Sequence, residues 1–388
     1  MYFQLSEEQL GVQEAAKTFA EKELLPGVID RDREMRFPTE EVKEMGTMGF
    51  LGMMTSPKYG GGGMDTLSYV LAMEEISKVD PVAGVIMSVN NSLVCWGLEQ
   101  YGSDAQKEKY LRPLASGLYT GSFCLSEPEA GSDATSQKTK AIDQGDFYLL
   151  NGTKNWITNG STSGLQIVIA QSHPDQAHHG INAFIVEPDW EGVSIGPKED
   201  KMGIRASDTV SITYTDVKVP KENRIGDDGF GFKFAMKTLA GGRIGIAAQA
   251  VGIAEGAFRL ALDYSKQREA FGKTISKYQA ISFKLAEMAT EIEAARMMVH
   301  RAAVLKDQKK DYDMASSMAK RFAADIAMKH TVEAVQIHGG YGFVREYQVE
   351  RMMRDAKITQ IYEGTSEIQK LVISRNILNG ILYPPSIV

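Results

Sequence analysis

The sequence predicts an α+β protein of several domains, helical first, then β, then helical again. Apolar residues repeat with helical spacing at both ends of the chain. Between them the pattern turns to β-branched runs and turn dipeptides. A length of 388 residues also exceeds the ~100–200 residues usual for one domain. The expected blocks are an N-terminal helical domain over 1–120, a central β-sandwich or barrel domain over 121–225, and a C-terminal helical bundle over 226–388.

In the first block, Ser6 followed by Glu7, Glu8 and Gln9 is an S-x-x-Q capping box that opens a helix. Gly60 to Gly63 form a four-glycine turn after Pro57. No strand precedes the turn and no Lys-Ser or Lys-Thr follows it, so it reads as a flexible surface loop, not a phosphate cradle. Helical patterning resumes near Leu67 and breaks at Asp80-Pro81.

In the second block, Leu165–Ala170, Ile181–Glu187 and Thr209–Thr215 are strand-like runs. Gly145-Asp146, Asn151-Gly152 and Asn159-Gly160 punctuate them. The third block returns to helix. Ile281, Leu285, Met288, Ile292, Ala295, Val299 and Ala302 repeat at alternating spacings of four and three, which suits a bundle. Ile244, Ala247, Val251, Ala254, Phe258 and Leu262 form a second stripe, and Met318, Phe322, Ile326 and Val332 a third.

Composition narrows the function. A net charge of −7 disfavours a nucleic-acid binder, which carries a basic face. Cys95 and Cys124 alone make neither a disulfide framework nor a zinc site. The opening MYFQLSEEQL has no basic or apolar signal region. The longest nearly apolar stretch, Ile244–Ala254, falls short of the ~20 residues that span a bilayer. A cytoplasmic protein without stable membrane insertion is expected; a removed transit segment would leave no trace, so the mitochondrial matrix stays open. G-x-G-x-x-G, Walker A, H-E-x-x-H and G-x-S-x-G motifs are absent. His173, His178 and His179 share a polar loop that reads as solvated, and no metal is expected. His338, beside a glycine pair, is weak alone.

Three segments point to chemistry. Phe123–Asp133 surrounds a proline turn with small residues and hydroxyls. It is either an anion-facing turn with Ser126 and Ser132 as donors or a simple capped turn. Trp156-Ile157-Thr158 ends a strand, where the Trp either lines a flat aromatic ligand or packs at a domain boundary. Near the C-terminus, Ser366 with Gln369 reads as a capping box, so a helix begins just after Thr365 and Glu363 sits on the loop before it. A helix N-terminus favours an ionised carboxylate and burial opposes it, which together suit a general base. The plainer reading is an exposed Glu at a helix start.

CLSEPEAGSDA, NGTKNWITNG, QREAFGKTISKYQ, QIHGGYGF and RDAKITQIYEGTSEIQ occur here in one order along nearly the whole chain. With them the sequence resembles the acyl-CoA dehydrogenase family of flavoproteins. It is most similar to the short-chain, butyryl-CoA branch, through GVIMSVNNSL at 84–93, KEDKMGIR at 198–205 and GGRIGIAAQAVGIAEGA at 241–257. The resemblance implies a four-helix C-terminal domain and FAD held without a Rossmann fold. It implies flavin contacts at Phe123, Leu125, Ser126, Gly131 and Ser132, and at Trp156, Ile157 and Thr158. Arg268, Phe271 and Gln279 match positions that reach a neighbouring subunit's FAD in a homotetramer. Gln336, Gly339 and Gly340 match a phosphate-side contact, and Thr365 and Glu367 another. Ser132, Arg243 and Gly364 match acyl-CoA contacts, and Glu363 matches the catalytic base. The implied reaction is α,β-dehydrogenation of an acyl-CoA thioester, with electrons passing to an electron-transferring flavoprotein. Branched or cyclic acyl-CoA substrates, oxygen as acceptor, or a non-catalytic acyl-CoA or flavin binder are the alternatives. One departure is Ala240, where close relatives commonly carry Asp, which puts one polar contact to the CoA arm in doubt; another branch places its base near Gly242, where this chain has no carboxylate, so Glu363 is left as the candidate base.

Overall fold

Residues 4–387 are described by a computed structural model; residues 1–3 of the opening stretch lie outside them. Helix α1 (Glu7–Phe19) starts at the predicted box, with Ser6 and Gln9 capping each other reciprocally. α2 (Val28–Glu34), α3 (Thr39–Thr47) and α4 (Thr66–Ser77) follow. The Gly60–Gly63 segment is not loose. Gly62, Gly63 and Met64 donate their N–H groups to the carbonyls of Gly52, Thr55 and Met53. A Cβ on Gly61 would lie 2.2 Å from the Thr55 carbonyl, so the glycine serves close backbone approach.

Asp80 and Pro81 end one helix and begin the next. The Asp80 carboxylate accepts from Val82 N at the start of α5 (Pro81–Ser88). A π-helical stretch, Val89–Cys95, carries α5 into α6 (Trp96–Tyr101). The short α7 (Asp104–Gln106) and α8 (Arg112–Ala115) close the block.

Eight strands form one mixed sheet: β1 (Thr120–Cys124), β2 (Lys140–Asp143), β3 (Phe147–Thr158), β4 (Ser163–Gln171), β5 (Ile181–Val186), β6 (Val193–Ile195), β7 (Thr209–Pro220) and β8 (Arg224–Ile225). Their order is β6-β7-β3-β2-β4-β5-β8, with β1 parallel to β4. Tyr214 on β7 donates to Gln166 on β4 across the two intervening strands, so the sheet curls over its own core. β4 and β5 read as unbroken apolar runs because both faces are buried. Val168, Ala170, Phe184 and Val186 point into the sheet core. Leu165, Ile167, Ile169, Ile181, Ala183 and Ile185 point into the core shared with the helices.

The third block holds α9 (Gly231–Gln267), the small hairpin β9 (Glu269–Ala270) and β10 (Lys273–Thr274), then α10 (Gln279–Asp307), α11 (Asp313–His338), α12 (Gln348–Thr359) and α13 (Ser366–Leu378). α9, α10, α11 and α12 pack together, and α13 lies on α11. The stripe from Leu285 to Ala302 is buried as predicted, and so is Ile244 to Ala254. The third stripe is only partly right, since Val332 is exposed. α11 instead buries Ala315, Ala319, Ala323 and Ala327 beside Ile326. Close packing against α9 selects small residues, so the larger ones miss that seam.

Two helical runs, Pro81–Tyr101 and Gly231–Gln267, are longer apolar segments than Ile244–Ala254 and are long and apolar enough to cross a membrane. Both are buried inside the protein, where α9 packs on α4, α10 and α11. Cys95 and Cys124 are free and buried, and burial pushes their thiols up to about 12 and about 11.

Candidate active site

Glu363 lies on the loop between α12 and α13 with φ of 50°, and Gly364 follows at 90°. Two successive left-handed residues turn the chain sharply. Gly364 adopts this freely, whereas Glu363 is strained by ~1–3 kcal/mol. The surrounding structure holds it there. Gln369 Nε2 donates to the carbonyls of Glu363 (3.3 Å) and Gly364 (2.8 Å), and Lys320 Nζ donates to Gly364 (2.7 Å). The helix begins after Thr365 as predicted, but Thr365 itself is the cap, accepting from Ile368 N at 3.2 Å. The Ser366–Gln369 box does not form, because Gln369 is drawn to loop carbonyls that burial would otherwise leave unpaired.

The carboxylate of Glu363 turns onto α9. Its Oε2 is buried without a hydrogen-bond partner. A Cβ on Gly242 would stand 2.1 Å from that oxygen and 2.8 Å from Leu93 Cδ2, so glycine makes the room. Burial raises the Glu363 carboxyl from 4.5 to about 7, while the Lys320 and Arg243 cations pull it back down. Those cations favour its charged form. Burial in turn lowers Lys320 to about 8 and lowers Arg243, each opposed by the negative charge at Glu363. Arg243 reaches Ser317 Oγ at 3.3 Å and leaves its buried Nε unpaired. The result is a bare carboxylate that burial pushes up and two neighbouring cations pull down.

The Phe123–Asp133 and Trp156–Thr158 segments meet edge to edge. Asn155 N donates to the Ser126 carbonyl at 2.8 Å, and Lys154 Nζ to the Leu125 carbonyl at 3.0 Å. Lys154 also pairs with the buried Glu127 at 2.8 Å, which fastens the proline turn to β3. Trp156 sits in a bulge of β3 with φ of 61° and is 60% exposed, so its ring faces outward instead of packing. Ile157 is buried, Ser126 and Thr158 are half-buried, and Gly131 and Ser132 are exposed. Phe123 stacks on Phe234 of α9 at 6.3 Å.

A second surface gathers other predicted residues. Arg268, Gly339 and Gly340 line a cleft of about 670 Å³ with Tyr264, His338 and Tyr341. His338 donates from Nδ1 to the Ala334 carbonyl and stacks on Tyr264 at 4.3 Å. The cleft lining includes neither Ser126 nor Trp156. Gln279 and Gln336 lie exposed at the start of α10 and near the end of α11, and Phe271 stands 97% exposed on the hairpin turn with φ of 51°. Thr365 caps α13, and Glu367 is exposed in its first turn. Ala240 is buried within α9. Among the other candidates, His173 bonds Asp228 at 2.9 Å. No cluster of three or more metal-ligating side chains occurs among the described residues.

Residues 6–118, 122–217 and 229–378 match the acyl-CoA dehydrogenase N-terminal, middle and C-terminal domain families respectively. The chain belongs to the acyl-CoA dehydrogenase family. It is 49% identical over 377 residues to a short-chain-specific acyl-CoA dehydrogenase of Clostridium acetobutylicum, covering 97% of this chain and 100% of that one. Its structure superposes on butyryl-CoA dehydrogenase from Megasphaera elsdenii with a TM-score of 0.96, at 48% identity, over 97% of this chain and 100% of that one. A chain in a solved structure of the electron-transferring flavoprotein of Acidaminococcus fermentans gives the same TM-score at 50% identity, over 97% and 100%.

The family is FAD-dependent. The residues present in this acyl-CoA dehydrogenase fit such a group. A Cβ on Gly131, Gly339 or Gly340 would meet nothing within 4 Å, so a ligand can approach the backbone there. Arg268 lies over the Tyr341 ring at 5.6 Å, so the cleft offers a cation beside an aromatic face, chemistry that suits an anionic group next to a flat ring. Sequence reasoning missed Lys320 and the seat at Gly242, and gave Gln369 a cap in place of the loop carbonyls it bonds. A lysine on the alanine-rich face of α11 was the available signal for Lys320; the seat at Gly242 and the partner of Gln369 depend on folding alone.

Proposed function

We propose that this acyl-CoA dehydrogenase oxidises a short-chain acyl-CoA to the trans-2-enoyl-CoA, a step of fatty-acid β-oxidation, and passes the electron pair to an electron-transferring flavoprotein. The short-chain-specific relative and the butyryl-CoA dehydrogenase structure support the substrate. The chain in the electron-transferring flavoprotein structure supports the acceptor. The sequence-based expectation of a cytoplasmic setting belongs to the same proposal.

The observation that carries the chemistry is the bare Oε2 of Glu363 over Gly242. Glu363 takes the α proton at Oε2, the β hydrogen leaves with its electron pair, and the α–β double bond forms. FAD, when bound, supplies the hydride acceptor. A thioester α C–H is too weak an acid for a bare carboxylate, so the developing enolate oxygen needs donors. The Glu363 backbone N–H is the chain's own candidate, and one such donor contributes ~3–4 kcal/mol. Lys320 and Gln369 act earlier, by holding the strained loop so that the carboxylate and its N–H face the same site. Phe123, Leu125, Ser126, Gly131, Ser132 and Trp156–Thr158 would hold the flavin. Arg268, Phe271, Gln279, Gln336, Gly339, Gly340, Thr365 and Glu367 would hold the rest of FAD, and Ser132, Arg243 and Gly364 the thioester.

Glu363→Gln tests the assignment. It keeps the shape and removes the basic oxygen. The variant is expected to stay folded and yellow and to bind butyryl-CoA, while anaerobic stopped-flow flavin reduction slows by ~10²–10⁴ or more. Reduction within a few-fold of the parent rate would assign the proton to another base.

A further inference from the structure

Glu363 marks where the acyl α carbon must sit, and α9 marks where the chain can run from there. Gly242 and Gly245 stand three residues apart on one helix face, about 5–6 Å between their Cβ positions. The first seats Glu363 Oε2. The second seats the hydroxyl of Tyr69 from α4, whose Oη would lie 2.4 Å from a Cβ on Gly245. Ser88 Oγ closes in at 2.8 Å from the same point and has no hydrogen-bond partner of its own. Tyr69 is fully buried and its Oη accepts from Ser92 Oγ at 2.9 Å, so the ring is fixed from two sides. One turn further along α9, Gln249 donates to the Pro81 carbonyl and accepts from Tyr362 Oη.

Mid-helix Gly245 serves no turn, and glycine there weakens the helix by about 1 kcal/mol relative to alanine. Its physical use is to admit the Tyr69 hydroxyl. We propose that Tyr69, wedged against Gly245 and held by Ser92, is the stop that ends the acyl lane one helical turn beyond the catalytic carboxylate and so limits the substrate to short acyl chains. The inference rests on the acyl-CoA dehydrogenase reading of Glu363. A hydrocarbon tail that reached Gly245 would have to displace the ring with its hydrogen-bonded Ser92 or lie against the unpaired Ser88 hydroxyl, and both are unfavourable.

The test compares flavin reduction by butyryl-, hexanoyl- and octanoyl-CoA in the FAD-loaded parent, Tyr69→Phe, Tyr69→Leu and Tyr69→Ala proteins. Calorimetric titration with non-oxidisable S-alkyl-CoA thioethers of matching length gives a binding readout independent of turnover. Circular dichroism checks the fold, and the leucine variant guards against collapse of the alanine one. In the leucine or alanine variant, the octanoyl-to-butyryl ratio of kcat/KM should rise at least about tenfold, the scale of a methylene-sized change in an apolar pocket. Binding of the long thioether should improve in parallel. The phenylalanine variant keeps the ring and should stay within about threefold of the parent ratio, which is well below the effect of such a change. An unchanged ratio in a folded leucine variant overturns the inference, as does equal lengthening in the phenylalanine variant. If the parent bleaches with none of the three substrates, the dehydrogenase reading itself falls and takes this one with it.

Discussion

Burial and two cations act on Glu363 in opposite senses, and the balance sets when the base is available. Its carboxyl is raised from 4.5 to about 7, so the ionised, reactive form accumulates only as pH rises through about 7. Flavin reduction by butyryl-CoA should therefore fall on the acid side with an apparent pKa near that value. Lys320 works against the rise. Lys320→Met removes a positive charge that favours the anion, so the acid limb should move upward by about one pH unit, the low end for loss of a nearby opposite charge. Measuring the reduction rate from pH 5 to 9 in both proteins decides this. A limb that stays put would mean that Lys320 acts only through its bond to Gly364. The same shift has a stability consequence. Because the folded pKa is the higher one, the ionised carboxylate weakens the fold above about pH 7 and not below about 4.5. Glu363→Gln should accordingly raise Tm at pH 8 and leave it nearly unchanged at pH 4.

α9 combines two demands that pull apart. As a long helix it would favour alanine over glycine at Gly242, by about 1 kcal/mol of helix propensity. As the wall of the site it needs the glycine, since an added Cβ would sit 2.1 Å from Glu363 Oε2. The clash falls on the far end of a side chain and can be relieved only by turning the carboxylate away. Gly242→Ala should keep the helical circular dichroism and cost at least tenfold in flavin reduction, because a misplacement of about 1 Å can cost ~10² in rate. Parent-like turnover in this variant would show that Glu363 has a second productive rotamer. The loop before α13 follows a similar logic. Its strained backbone persists because Gln369 and Lys320 each pair a carbonyl that the turn leaves inside the protein.

The three blocks are joined through shared packing more than through linkers. One face of β4 and β5 belongs to the same core as α4, α9 and α11. β1 and β3, which carry or adjoin the residues proposed to hold the flavin, belong to the same sheet as β4 and β5 and so pack with the helical blocks. The cleft at Arg268, Gly339 and Gly340 is a separate surface, and Phe271 at 97% and Phe343 at 86% exposure stand near it in sequence. We infer that the two surfaces serve one FAD from different copies of the chain, as the homotetramer implied by the family resemblance would require. Arg268→Ala should then lose FAD and subunit association together, because one charge-assisted phosphate contact supports both. Light scattering with flavin absorbance measures the two at once. A monomer that retains stoichiometric FAD would contradict shared sites.

Sequence alone determined the periodicities and the capped starts, because both depend on neighbours three or four residues away. The box at Ser6, the break at Asp80-Pro81, the β runs at Leu165 and Ile181 and the buried stripe from Leu285 to Ala302 are all local patterns. The place of Glu363 on the loop before a helix was legible too. What surrounds Glu363 follows from long-range packing. Lys320, Gly242 and Tyr69 come from three helices far apart in the chain, and no local spacing records that they meet one carboxylate or one helix face. The cap at Thr365 and the exposed Val332 failed for the same reason. In each, a side chain chose its partner or its face by long-range packing: Gln369 by the carbonyls it had to satisfy, and α11 by the small residues that a close approach to α9 demands.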